Sequence, residues 1–224
     1  MNQFGIFAKY WQPGKVKTRL AASVGDAAAS GLYRRFLNTT LRRFGNVAQR
    51  RVLAYTPPER RAEFAALADD AWSLEAQAAG DLGQRMQHYF AAAFRSGAER
   101  VVLIGSDSPT LPLEYVTDAF DLLETFPVVL GPADDGGYYL VGAAGAVPPI
   151  FAGVAWSTPL VWSQTQSRLQ AAGMRCSVLP AWYDVDDLAG LRRMDRELAE
   201  HAPLDEQLRA LRGDVARVLD GHHE

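Results

Sequence analysis

The segment Val101-Val-Leu-Ile-Gly-Ser-Asp-Ser-Pro-Thr-Leu111 constrains the fold of this chain more than any other. Its four leading apolar residues run without polar alternation into Gly105, the pattern of a strand buried on both faces of a mainly parallel sheet. Asp107 follows between two serines, ahead of Pro109, which lacks an amide hydrogen and resists continuation of the strand. Its carboxylate is therefore expected at the carboxyl end of a central strand, where open α/β sheets bind ligands. The alternative is that Asp107 only caps the turn or the next helix, and the segment alone leaves both open.

The chain before this segment adds a second polar strand end. Gln3 to Ala8 is a short apolar strand, followed by Lys9-Tyr-Trp-Gln-Pro-Gly-Lys-Val-Lys-Thr-Arg-Leu20. Lys15, Lys17 and Arg19 stand two apart behind a Pro-Gly turn, so an extended loop points all three the same way, and a helix does not. Three cations after a first strand suggest a site for a di- or triphosphate, with Gly14 letting the backbone approach it; the competing reading is a solvated loop. The loop is not a Walker A sequence, and no Gly-x-Gly-x-x-Gly fingerprint follows a strand, which excludes P-loop NTPases and dinucleotide dehydrogenases.

Helices are expected over 26–43, 60–68 and from Gly80 to Phe94 with Asp81 as N-cap, and strands over 52–55 and 72–77. Beyond the Asp107 strand come a helix over 113–124, a buried strand at 128–132, and Ala133-Asp-Asp-Gly-Gly-Tyr-Tyr-Leu-Val141, in which two carboxylates precede a Gly-Gly turn and an apolar strand. In the last of these, free backbone amides at Gly136 and Gly137 beside Asp135 offer hydrogen bonds to ligand hydroxyls, or else the segment is a turn and nothing more. Ser157 or Thr158 before Pro159 opens a helix to Ala172, and Trp156 is either core or a stacking platform. After a strand at 176–179, the segment Trp182-Tyr-Asp-Val-Asp-Asp-Leu188 projects Asp184 and Asp186 to one face and Asp187 to the other. Two such carboxylates repel each other without a cation between them, and with Asp107 they form an oxygen-ligand set for Mg2+ or Mn2+. The plainer alternative has Asp187 capping a helix over 188–198 and the other two solvated. A helix over 205–219 closes the chain, and His222 and His223 read as a disordered end.

Composition bounds the function. A net charge of -3 gives no broad basic face for nucleic acid, so any positive site is local. The single Cys176 excludes an internal disulfide and any cysteine-built zinc site, and fits a reducing compartment. No signal segment and no run of membrane-spanning length is visible, and the expected location is the cytoplasm.

Five blocks then carry a resemblance that spans nearly the whole chain: Phe-Ala-Lys with Pro-Gly-Lys-Val-Lys-Thr-Arg-Leu (7–20), Gly-Asp-Leu-Gly-Gln-Arg-Met (80–86), Leu-Ile-Gly-Ser-Asp-Ser-Pro-Thr-Leu (103–111), Leu-Gly-Pro-Ala-Asp-Asp-Gly-Gly-Tyr-Tyr-Leu (130–140) and Asp-Val-Asp (184–186). In their order and spacing they resemble the DUF2064 group of nucleotide-diphospho-sugar transferase-like proteins with the glycosyltransferase A fold. The resemblance implies a Rossmann-like, three-layer α/β/α sandwich around a mainly parallel sheet. It places residues 1–200 in a single nucleotide-binding domain and 201–224 in a peripheral helix and tail. Gly14, Lys15, Lys17 and Arg19 then hold phosphates and Asp107 stands at the metal. Trp11, where relatives usually have proline, and Asp187, where they usually have threonine, depart from the group's pattern.

The implied chemistry is glycosyl transfer from a nucleotide sugar to a small-molecule acceptor, with Mg2+ or Mn2+. Asp107 and Asp135 are the catalytic candidates, and Asp135, Gly136, Gly137 and Trp156 face sugar or acceptor. Similar Lys-Thr-Arg-Leu blocks occur in phospholactate guanylyltransferase-like and molybdenum-cofactor guanylyltransferase-like proteins, which implies nucleotidylyl transfer from a nucleoside triphosphate as the alternative. A catalytically silent nucleotide sensor is the third.

Overall fold

The computed structural model describes residues 1–200 and 203–221, so the expectation for His222 and His223 falls outside the described residues. Seven strands form one sheet: β1 (Asn2–Lys9), β2 (Arg50–Thr56), β3 (Ser73–Ala76), β4 (Arg100–Ile104), β5 (Val128–Pro132), β6 (Tyr138–Ala144) and β7 (Cys176–Val178). Their order is β3-β2-β1-β4-β6-β5-β7, parallel throughout except that β6 runs antiparallel to both β4 and β5. The sequence reading had the strands but not this reversal.

The unbroken apolar run of β4 has the expected cause. Val102 and Ile104 enter one buried cluster with Phe4 and Ile6, whereas Val101 and Leu103 enter a second cluster on the opposite face. The first face is covered by α2 (Asp26–Arg43), α3 (Arg61–Leu67) and α5 (Leu113–Leu122), which contribute Leu37, Phe64 and Phe120. The second is covered by α4 (Leu82–Arg95) and α6 (Val161–Ala171), through Phe90 and Leu169. Two helical layers around a mostly parallel sheet make the three-layer sandwich, and central strands with both faces covered have no room for polar alternation.

A third apolar cluster lies to one side, built from α1 (Thr18–Val24), the first half of α2, α7 (Leu188–Glu200) and α8 (Glu206–Asp220). Val185 is fully buried there among Leu20, Phe36 and Leu191. That burial fixes the flanking Asp184 and Asp186, because a residue between two strand-like neighbours points opposite to both. Asp187 turns to the other task weighed for it, and its Oδ1 accepts the Gly190 amide at 2.8 Å at the start of α7. The start of α6 at Val161, after Leu160, is two residues later than a proline at the first turn implies. Among the described residues no helix is long and apolar enough to cross a membrane.

Candidate functional site

One cleft of about 790 Å³ opens at the carboxyl ends of β1, β2 and β4, and Lys15, Lys17, Arg19, Asp107, Asp135, Gly137, Trp156, Asp184 and Asp186 all line it. It lies where the sheet order turns from descending to ascending, between β1 and β4, the position at which open α/β sheets leave a crevice. Gly14 and Gly136 are not among the lining residues.

The cationic loop departs from its expected shape. A turn closed by the Lys15 amide on the Gln12 carbonyl at 3.0 Å and a bend at Val16 replace the extended loop, after which Lys17 adopts the left-handed conformation at φ 49° and α1 begins at Thr18. The alternation that would point Lys15, Lys17 and Arg19 one way is therefore broken in the middle. Val16 turns into the protein, and Lys17 is drawn inward with its side chain only 3% exposed. Its ammonium ion-pairs with Asp107 and, at 2.9 Å, with Asp186 Oδ1, beside the rings of Tyr33 and Phe36. Arg19 reaches the other oxygen of Asp186 at 2.6 Å from a side chain that is 67% exposed. Lys15 remains exposed at the cleft and makes no ion pair among the described residues.

These contacts set the charge of each group. Burial opposes the charge on Lys17, but the carboxylates of Asp107 and Asp186 outweigh it and hold its pKa above the ordinary lysine range. For Asp186, burial works against ionisation while Lys17 and then Arg19 favour it, and the carboxyl stays below its usual range. Asp184 goes the other way. Burial first and the negative charge of Asp107 second push it up to about 7, against the Ser108 hydroxyl that donates to its Oδ1 at 2.5 Å. The two acidic loops are tied together by backbone as well, since the Val185 amide donates to the Asp107 carbonyl at 2.9 Å.

The residues brought together are thus the three carboxylates expected for a metal, with one correction. Among the described residues no group of three ligating side chains stands at metal-binding spacing, and the cation between Asp107 and Asp186 is the ammonium of Lys17. In chemistry the set nevertheless fits a hard divalent cation: it is all oxygen, it lines an open cleft, and the negative charge of Asp107 acts on the buried Asp184 more strongly than Lys17 offsets it.

A second correction concerns the Gly-Gly turn. The Gly136 amide donates to the Ala133 carbonyl at 3.2 Å and the Gly137 amide to Asp135 Oδ1 at 2.9 Å, so neither is free for a ligand. Gly136 is required for another reason: its φ is +89° and a Cβ there would stand 2.6 Å from the Pro159 carbonyl oxygen. The turn instead fixes Asp135, whose second oxygen is without a partner among the described residues. Trp156 meets Tyr138 edge to face at 6.1 Å, with one side in the cleft.

Sequence reasoning missed the residues that hold these groups in place. Tyr33 accepts the Lys9 amide at 3.0 Å and shares a 2.7 Å hydrogen bond with Ser106, bracing the ends of β1 and β4 under Lys17. Ser108 was visible beside Asp107, but its partner Asp184 is 76 residues away and no local pattern announces such a pair.

The model of the family described as "Uncharacterized protein conserved in bacteria (DUF2064)" matches residues 40–158. A crystal structure from Desulfovibrio desulfuricans G20, provisionally named a nucleotide-diphospho-sugar transferase, is 33% identical, with 98% of this chain and 97% of that one covered and a TM-score of 0.90. More distant structures share the fold alone. A cytidylyltransferase from Leptospira borgpetersenii is 13% identical, covers 100% of this chain and 97% of its own, and has a TM-score of 0.57. A nucleotidyl transferase from Methanothermobacter is also 13% identical, with 90% and 99% covered and a TM-score of 0.58. No curated protein matches the sequence.

Proposed function

The chain belongs to the DUF2064 family, and on that premise we propose that it is a nucleotide-dependent transferase, moving a glycosyl group from a nucleoside diphosphate sugar to a small-molecule acceptor. The observation that carries the reading is the acidic cluster of Asp107, Asp184 and Asp186 at a strand-end cleft, in which Lys17 holds Asp107 and Asp186, Arg19 holds Asp186, and Ser108 holds Asp184. Lys17 and Arg19 are both engaged with carboxylates, so they reach a phosphate only if something else takes their place on the aspartates.

Asp107, Asp184 and Asp186 would hold Mg2+ or Mn2+, which when bound supplies charge neutralisation at the phosphate oxygens. Lys17 and Arg19, relieved of Asp186, become donors to the diphosphate, and exposed Lys15 adds a third positive charge. Stabilising the negative charge that gathers on the departing diphosphate is the largest contribution such a site makes to the rate. Gly14, at φ +71°, keeps the turn before these cations free of a side chain. Asp135, oriented by Gly137, presents its free oxygen to the cleft as the base for the acceptor hydroxyl, and the exposed face of Trp156 is a platform for a sugar ring.

A second reading, nucleotidylyl transfer with release of pyrophosphate, has one observation in its favour: three cations, Lys15, Lys17 and Arg19, line one end of the cleft and suit a triphosphate as well as a diphosphate. The names of the more distant fold relatives point the same way. The two reactions differ in the bond broken, so the leaving group separates them. A panel of nucleotide sugars and nucleoside triphosphates with Mg2+ or Mn2+, followed by phosphorus NMR in the presence of acceptors from a cell extract, is expected to release a nucleoside diphosphate. Acceptor-dependent pyrophosphate from a triphosphate instead establishes the second reading, and nucleotide binding with no turnover of either kind favours a sensor.

A further inference from the structure

The cleft extends past the acidic cluster toward the β3–α4 connection, where three side chains have unspent binding capacity. Gln77 follows β3 directly, and its Nε2 donates to the carbonyls of Ala8 at 3.2 Å and Ala54 at 2.8 Å. Carbonyls only accept, so the amide has one possible orientation, with nitrogen toward the strands and Oε1 away from them. Among the described residues that oxygen has no partner, it is not sealed in the interior, and Gln77 lines the cleft. Arg85, in the first turn of α4, donates through Nε to the Gly80 carbonyl at 2.8 Å, which folds its guanidinium back against the same loop. Among the described residues no carboxylate pairs with it. Leu82, the first residue of α4, is 41% exposed, and of the large exposed apolar side chains among the described residues it alone lines the cleft, together with buried Met86.

We propose that this end of the cleft is a nucleobase pocket in which Gln77 and Arg85 read a lactam edge, a ring N–H beside a ring carbonyl. The ring N–H donates to Gln77 Oε1, the carbonyl accepts from Arg85, and the ring plane lies on Leu82 and Met86. Guanine and uracil carry this edge. Adenine and cytosine offer an exocyclic amine beside an unprotonated ring nitrogen, so pairing them with Gln77 and Arg85 shifts the ring away from the position in which guanine or uracil sets its ring N–H on Gln77 and its carbonyl on Arg85. A site with an acceptor of fixed orientation rejects a base that leaves the acceptor unpaired more strongly than an apolar pocket rejects a wrong shape. The assignment rests on the nucleotide reading above and adds the class of base.

The test is calorimetric titration of the full chain with GDP, UDP, CDP, ADP and inorganic pyrophosphate, each with Mg2+. The expected result is GDP and UDP binding about tenfold or more tightly than ADP and CDP. Gln77→Met is expected to bring the four within about threefold of each other while pyrophosphate binds as before. Because Gln77 also ties two strand ends together, Arg85→Met and Leu82→Ser, on the exposed start of α4, serve as independent variants. The first should narrow the preference for GDP and UDP, and the second should weaken all four nucleotides but not pyrophosphate. Equal affinity for the four bases, tightest binding of ADP, or a preference that survives both Gln77→Met and Arg85→Met overturns the assignment. If pyrophosphate and every nucleotide fail to bind, the proposed function itself fails.

Discussion

The two halves of the cleft differ in how their polar groups are satisfied. At the acidic half, Lys17, Arg19, Asp107, Asp184 and Asp186 are already partnered with one another or with Ser108. At the other half, among the described residues, Asp135 has a free oxygen, Gln77 a free acceptor and Arg85 no carboxylate. The difference follows from charge density. Three buried or half-buried carboxylates cannot face one another without a cation, so the protein supplies one from its own chain, whereas isolated polar groups at a solvated rim can wait for a ligand. Substitutions at the buried groups of the first half should therefore act on stability and metal response, and those at Asp135 and Arg85 in the second on ligand binding and turnover alone.

The largest effect that would break this comparison is on turnover at Asp135. Asparagine keeps an oxygen for the Gly137 amide, so Asp135→Asn should leave the turn, the melting temperature and nucleotide affinity unchanged. Loss of the base should lower kcat by about 10²–10⁴-fold. A variant with full activity in steady-state assays would remove Asp135 from the chemistry and leave it a turn residue.

Next in size is Lys17→Met. Truncating one partner of a buried ion pair leaves charge unpaired and costs about 3–5 kcal/mol, and partial exposure of Asp107 and Asp186 brings the expected loss nearer 1–3 kcal/mol. With the internal cation gone, Mn2+ should raise the melting temperature of the variant more than that of the natural protein. Equal responses in thermal melts would mean that Lys17 and the divalent ion do not compete for the aspartates.

How far the sequence reached follows the same division. The strand ending at Asp107 was legible because burial on both faces leaves an unbroken apolar run, and Asp184 with Asp186 because a single buried valine between them sets their direction. Lys17 was misplaced because a seven-residue helix starting after a left-handed residue carries no more pattern than an extended loop. The reversal of β6 left no trace, since a strand between two neighbours is apolar in either direction. Gln77 and Arg85 were invisible as a pair, for one gets its orientation from the carbonyls of β1 and β2 and the other from a loop carbonyl, and neither contact is encoded by residue type.

A smaller effect concerns pH. Asp184 has its carboxyl raised to about 7 in the fold, above the ordinary range it keeps when unfolded. Below both values the group is protonated in either state and contributes nothing. As pH rises from about 4 to about 7 the unfolded chain releases the proton first, so Asp184 progressively disfavours the folded state, and above 7 that loss is complete. In the presence of chelator, Asp184→Asn should match the natural protein near pH 4 and exceed its melting temperature increasingly toward pH 8. A difference independent of pH would mean that Asp184 is not the group being held protonated.

The smallest effect sharpens the comparison within the acidic half itself, because Lys17 and Arg19 share Asp186 but differ in burial. The Arg19 side chain is 67% exposed and its contact of 2.6 Å is open to solvent and screened by salt, whereas the Lys17 side chain is 3% exposed. An exposed pair contributes about 0–1 kcal/mol, so Arg19→Ala should barely move the melting temperature of the ligand-free protein, in contrast to Lys17→Met. On diphosphate affinity the order need not follow burial, since a guanidinium can grip two oxygens where an ammonium offers a point charge. Arg19→Lys should then recover only part of the affinity lost in Arg19→Ala, measured by calorimetry with a nucleoside diphosphate and Mg2+. If arginine and lysine serve equally, Arg19 acts as charge alone, and the two-oxygen contact on the phosphates is to be sought at Arg85 or nowhere on this loop.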